Sequence, residues 1–228
     1  MDLRWLSISS QLNLFMPKPR ILLFVFILVM AVSWLSSFGV WKRAKTRWAA
    51  AHPEQYEMPT PHFEKMKLKA KEARSFILRK NYNTDICFLI DMSLHSGQNR
   101  FFVYDLEKNT IKNSGLVTHG RCNQYWLQER KYGNTVGCGC TSLGKYKIGY
   151  SYNGRFGLAF KLHGLDSTNN KAFERFVVLH AHECVPETEV KDEICQSDGC
   201  PTVSPNFLQY LKPVINELEK PVLLWIYE

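Results

Sequence analysis

A candidate base and a candidate nucleophile stand close together in the last third of the chain. The apolar run Arg175-Phe-Val-Val-Leu-His180 ends in an imidazole, and after sixteen residues comes Ser197-Asp-Gly-Cys200-Pro. A thiol and an imidazole that meet in the fold are the minimal machinery of acyl transfer through a thioester. The thiol attacks a carbonyl; the imidazole takes its proton and returns it to the leaving amine. Gly199 lets the backbone turn tightly, so the N–H groups of Gly199 and Cys200 are candidate donors to an oxyanion. Ser197 is placed to bond backbone or substrate. The competing reading is a packed cysteine and a structural strand-end histidine, because the chain offers seven residues of each type.

Two His-Gly pairs elsewhere in the chain bear on the same site. His163-Gly164 competes with His180 for the role of base, but His180 lies much nearer Ser197 in sequence. His163, Gly164 and His119 are therefore read as candidate substrate-binding residues lining a cleft. Asp198 joins them, because it puts a negative charge beside the thiol, where it raises the thiol pKa or stabilises a protonated His180. His182 falls on the opposite strand face from His180 if that strand continues.

The segments around these residues read as strands. Candidates are Ile86–Ile90, Arg100–Tyr104, Gly115–Thr118, Tyr146–Ile148, Phe156–Leu162, Phe176–Leu179 and Val222–Tyr227. Glu107–Thr110 turns one hairpin, and Tyr152-Asn-Gly-Arg155 turns another. A helix is expected over Pro205–Leu218, with Ser204 as its cap and a kink or break at Pro213. Before the strands, Phe63, Met66, Ala70, Ala73, Phe76 and Ile77 recur at helical spacing, so residues 63–81 form an amphipathic helix. That helix packs on the domain or, given its lysines, lies on a membrane surface.

The collinear pieces Phe102-Val-Tyr-Asp-Leu106, Leu116-Val-Thr-His-Gly120, Thr141-Ser-Leu-Gly144, Lys161-Leu-His-Gly-Leu165, Val178-Leu-His180 and Ser197-Asp-Gly-Cys-Pro-Thr202 resemble the murein L,D-transpeptidase catalytic domain family, the YkuD-like fold. The resemblance covers residues 82–228. It implies a mainly β domain, a sandwich or barrel with few helices, that acts on peptidoglycan stem peptides. Cys200 would form a thioester, and a neighbouring stem amine would resolve it into a 3–3 cross-link. Water in place of the amine would give L,D-carboxypeptidase action, and loss of the reactive thiol a silent wall-binding module. No metal or organic cofactor is implied. The chain departs from the family pattern at Asp198, where His or Trp is common, at Ala181 for Gly, and at Thr202 for Ala.

The remaining residues place this domain. Residues 1–80 hold 14 Lys/Arg against 5 Asp/Glu, and residues 81–228 hold 15 against 16, so the overall charge of +8 sits at one end. That distribution argues against a nucleic-acid partner. Residues 21–40, ILLFVFILVMAVSWLSSFGV, carry no charge and as a helix would reach across a bilayer core of roughly 30 Å. The expected order is a head at 1–20, a transmembrane anchor or signal segment at 21–40, a linker at 41–62, the helix, and an extracytoplasmic (periplasmic) domain. The basic residues flanking the run slightly favour the opposite orientation. Seven cysteines fit three disulfides plus one free reactive thiol in an oxidising compartment, with Cys184–Cys195 closing the loop before the nucleophile; the alternative is that several are reduced and buried. Cys138-Gly-Cys140 is too tight for the usual zinc knuckle.

Overall fold

The computed structural model describes residues 60–228. The expected head and membrane segment, and nearly all of the linker, lie outside the described residues. Among the described residues no helix is long and apolar enough to cross a membrane.

Helix α1 runs over Thr60–Leu78 and so begins three residues before the periodicity predicts. Pro61 falls in its first turn, where a missing N–H costs nothing because it would have no helical partner. Met66, Ala70, Ala73 and Ile77 form one buried face at helical spacing. That face packs on the sheet, over the strands β1 (Ile86–Asp91) and β8 (Leu223–Tyr227). The apolar stripe of α1 is thus covered by its own domain.

The other strands are β2 (Phe101–Asp105), β3 (Thr110–Gly115), β4 (Gly144–Gly154), β5 (Gly157–Gly164), β6 (Val178–Ala181) and β7 (Thr202–Val203). All eight belong to one sheet in the order β3-β2-β1-β8-β4-β5-β6-β7. Pairings are antiparallel except β1–β8 and β6–β7. The two edges of the sheet then meet. Just past β3, Val117 forms a bridge with Val203 of β7, and Thr118 N–H donates to Thr202 O at 2.9 Å. The sheet closes on itself through this short seam.

Alternation along the central strands sorts the two faces. Ile86, Phe88 and Ile90 of β1, Phe101 and Val103 of β2, and Leu224 and Ile226 of β8 enter one core, together with Phe160, Leu162 and Leu179. Cys87, Leu89, Phe102 and Leu223 are equally buried but stay out of that core. They face the side that α1 covers, which is why β1 is apolar at every position but its last. Helix α2 (Pro205–Asn216) inserts Phe207, Leu208 and Leu211 into the main core. Its cap is as expected: Ser204 Oγ accepts from Phe207 N–H, and Pro205 opens the first turn. The helix is not split at Pro213 but runs through it. The carbonyl that loses its partner there belongs to exposed Gln209, where water can reach it.

Strand boundaries differ from the sequence reading: β4 extends to Gly144–Gly154, the expected strand Gly115–Thr118 keeps only a bridge at Val117 beyond Gly115, and three further differences have a physical reason. Residues 110–115 form a strand where the sequence reading places only a turn over Glu107–Thr110, because β3 is only partly buried and tolerates polar side chains. The second hairpin turns at Arg155-Phe156 rather than Asn153-Gly154; Gly154 pairs with Gly157, whose φ of +79° suits the turn. Phe176 has φ +56° and lies in a turn, so β6 starts only at Val178.

Phe101 is fully buried between Phe88 and Phe207, with ring centroids 5.4 and 5.3 Å away. Phe101→Ala should therefore cost about 3–5 kcal/mol of unfolding free energy, read as a lower urea midpoint at unchanged slope.

Candidate active site

The site is built at the closing seam. In the parallel β6–β7 pair His180 stands opposite Thr202, and Ala181 opposite Val203. A parallel pair needs a long crossover, and residues 182–201 supply one without a helix. The Cys184–Cys195 disulfide closes its middle. Its last part is pinned by a second short pairing, the bridge Gly120–Ser197, in which Ser197 N–H donates to His119 O at 2.9 Å and Arg121 N–H donates to Ser197 O at 2.8 Å.

The nucleophile turn then closes on its own serine. Ser197 Oγ donates to Cys200 O at 2.7 Å and accepts from Gly199 N–H at 3.1 Å. Gly199 takes φ +108°, and a Cβ there would stand 2.6 Å from Cys140 O. Only glycine fits. The Gly199 N–H, expected as an oxyanion donor, is engaged with Ser197 Oγ in this arrangement. Ser197 serves the backbone of the turn.

Cys200, His180, Thr202, Ser197, Arg121 and Asp198 line one open cleft of about 280 Å³, joined by Thr118, Phe156, His182, Gln196 and the Cys184–Cys195 bridge. Cys200 is not in a disulfide, and its sulfur lies 3.9 Å from Phe176 O. His180 is buried, with Nδ1 3.0 Å from Ala181 O and Nε2 3.0 Å from Thr202 Oγ1. A carbonyl only accepts, so Nδ1 carries the proton and Nε2 presents its lone pair to the Thr202 hydroxyl. Phe156, at the tip of the β4–β5 hairpin, stacks on the His180 ring at 5.1 Å and 16° and meets His182 edge-on.

Desolvation sets the protonation of both groups. Burial pulls the His180 imidazole below its ordinary range; the bond to Ala181 opposes this and His182 adds to it. Burial pushes the Cys200 thiol up, and Asp198 pushes the same way, while a backbone bond at Val178 and the charges of Arg175 and Lys161 oppose. At neutral pH the resting pair is a thiol and a neutral imidazole.

Two arginines brace the turn from behind. Arg175 donates to Cys140 O, Gly133 O and Ser142 Oγ, holding the carbonyl against which Gly199 packs. Arg100 is fully buried on β2's approach; its Nε and one Nη donate to Val117 O at 2.9 and 2.7 Å, and its other Nη to Leu94 O. Burial lowers its pKa to about 9, so it remains charged at neutral pH. His119 lies 3.2 Å from that guanidinium and is pushed down to about 4 by burial and then by Arg100.

The structure brings Cys200, His180, Ser197 and Asp198 to one cleft, with Gly199 in the turn that presents the sulfur. It does not bring the other three expected contacts there. His119 is buried beside Arg100, and its carbonyl, not its ring, holds Ser197. His163 stacks on Phe173 at 5.0 Å on β5, opposite Lys147. Gly164 is packed so that any Cβ would collide with the Asn169 backbone. Thr202 and Phe156 escaped the sequence reading as site residues. In the sequence Thr202 stands out only as a departure from the family pattern, and Phe156 reads as a strand residue rather than a hairpin tip. The expectation of three disulfides also falls: Cys122–Cys140 and Cys184–Cys195 are bridged, and Cys87, Cys138 and Cys200 are free thiols. Cys87 is sealed under the sheet, where burial pushes its thiol far up and leaves it inert.

If stacking by Phe156 contributes to drying the imidazole, Phe156→Ala must raise the His180 pKa toward 6.5. A titration of the ring protons by NMR reads this directly; an unchanged or lowered value contradicts it.

A family model described as the L,D-transpeptidase catalytic domain matches residues 57–227. No curated protein matches the chain. Among solved structures it is similar to the helical cell shape determining protein Pgp2 from Campylobacter jejuni, at 17% identity and a TM-score of 0.42, covering 71% of this chain and 56% of that one. A mutant of the same protein gives 16% identity and 0.43, covering 71% and 55%. This chain thus spans little more than half the length of those structures. The chain belongs to the L,D-transpeptidase catalytic domain family.

Proposed function

We propose that this protein is a cysteine acyltransferase acting on peptidoglycan stem peptides, with Cys200 as nucleophile and His180 as base. The observation that carries this is the shared cleft: an unbridged thiol and a neutral imidazole line the same open volume. In the reaction, Nε2 takes the Cys200 proton as sulfur attacks the carbonyl between the third stem residue and D-Ala. The Thr202 hydroxyl that occupies Nε2 at rest must swing away or pass the proton on. The Cys200 N–H is the candidate oxyanion donor, given that the Gly199 N–H is engaged with Ser197. Collapse breaks the C–N bond, and D-Ala leaves with the proton returned from the imidazolium. The thioester is then resolved by an amine of a neighbouring stem, giving a 3–3 cross-link, or by water, giving a trimmed stem.

The location is part of the proposal. Two disulfides favour an oxidising compartment, and the uncharged run at residues 21–40 is the proposed anchor that holds the domain outside the cytoplasmic membrane.

Muropeptide analysis of cells expressing wild type or Cys200→Ala tests the reaction. Wild type should add 3–3 dimers or trimmed stems, and Cys200→Ala neither; equal profiles end the enzyme reading. The sign of the pH dependence follows from the lowered His180 pKa. Because activity needs neutral His180, whose pKa is lowered, kcat/KM should rise with pH along a limb centred below 6.5 and stay high through neutrality. A limb centred well above 6.5 would exclude this imidazole as the base.

A further inference from the structure

Asp198 and Arg121 form an ion pair on the lip of the cleft, with Arg121 Nε donating to Asp198 Oδ1 at 2.7 Å. Both side chains are substantially exposed, at 42% and 72%. An exposed pair of this kind contributes at most about 1 kcal/mol, so it opens readily. Its placement is nevertheless fixed. Asp198 is two residues before the nucleophile, and the backbone of Arg121 is bonded to Ser197 O, the residue that closes the nucleophile turn. The two charges therefore ride on the same bridge that positions the sulfur. Arg121 Nη1 reaches Gln124 O only at 3.4 Å, which leaves the guanidinium fork weakly committed.

Resting on the acyltransferase reading above, we infer that Arg121 and Asp198 form a clamp for an amino-acid zwitterion on the donor peptide, the free carboxylate and ammonium at the far end of a diaminopimelate side chain. The carboxylate takes the guanidinium fork, which matches it with two parallel N–H bonds. The ammonium takes Asp198. The resting ion pair is exchanged for two new ones of the same sign pattern, so no charge is left unpaired in the cleft. A donor carrying only one of the two groups must leave Arg121 or Asp198 without its partner. The arrangement also bears on the chemistry, because an ammonium on Asp198 offsets a negative charge that adds to burial in raising the neighbouring thiol's pKa.

The test uses the full chain in detergent and three synthetic tetrapeptides, L-Ala–γ-D-Glu–X–D-Ala. X is meso-diaminopimelate, its side-chain carboxamide, or its analogue lacking the distal amine. D-Ala release gives kcat and KM for each. Wild type should favour the zwitterionic peptide by about 10-fold in kcat/KM over both others, chiefly through KM. Arg121→Gln should abolish the preference over the carboxamide and keep the preference over the deamino peptide. Asp198→Asn should do the reverse, and Arg121→Lys should retain part of the first preference. Wild-type turnover without discrimination, or an equal loss on all three peptides in the variants, overturns the clamp and leaves the acyltransferase reading standing. No turnover of any peptide by wild type removes that reading and the clamp together.

Discussion

The site depends on the register of a strand two residues long. Thr202 and Val203 pair in parallel with His180 and Ala181, and Val203 also bridges to Val117, so β7 is the seam at which the sheet closes. Side chains alternate along a strand, and a slip of β7 by one residue would turn Thr202 away from His180 and break the pairing that sets it there. What prevents the slip is not β7 itself, which is too short, but the flanking constraints. Upstream, Ser197 is bridged to Gly120 and the crossover is closed by Cys184–Cys195. Downstream, Ser204 caps α2, and α2 drives Phe207, Leu208 and Leu211 into the core. Closing a barrel and aiming a catalytic pair are thus one structural act.

Charge is handled in the same economical way. Arg100 is a fully buried cation, an arrangement tolerated only where its donors are satisfied. It spends them on Val117 and Leu94 carbonyls and on His119, the stretch of chain that faces the nucleophile turn. Arg175 does the equivalent on the other side, through Cys140 O to Gly199. Neither guanidinium lines the cleft, yet both fix the backbone that does. The cleft itself keeps its reactive groups neutral: burial lifts the thiol and depresses the imidazole, so proton transfer between them creates charge only as the reaction begins.

Much of this was legible in the residues, and the failures have identifiable causes. The apolar strands β1, β2, β5, β6 and β8 announce themselves because they are buried, and burial demands an apolar run. The polar strand β3 does not, because a strand only partly buried carries no such signature. The Asn153-Gly154 pair is a good turn signal that the tertiary fold overrides by two residues, and that shift lifts Phe156 out of a strand and onto His180. His180 and Cys200 could be singled out because strand-end His and Gly-Cys are chemical words as well as structural ones. His119 and His163 have the same local grammar, His followed by Gly, but their destinations, beside Arg100 and Phe173, are set by contacts distant in sequence. The same holds for cysteine pairing: Cys184–Cys195 follows from a short loop, whereas parity alone could not say that Cys87 and Cys138 stay reduced.

The central claim is that one sulfur among seven forms a covalent bond to the donor peptide. The most direct measurement is acid quench of the full chain with a stem tetrapeptide, followed by proteolysis and mass spectrometry of every cysteine-containing fragment. The account predicts a single acyl adduct, with the mass of the donor less D-Ala, on the fragment carrying Cys200, and its absence in His180→Gln. An adduct on Cys87 or Cys138 instead, or turnover with no acyl-enzyme at any cysteine, would contradict it.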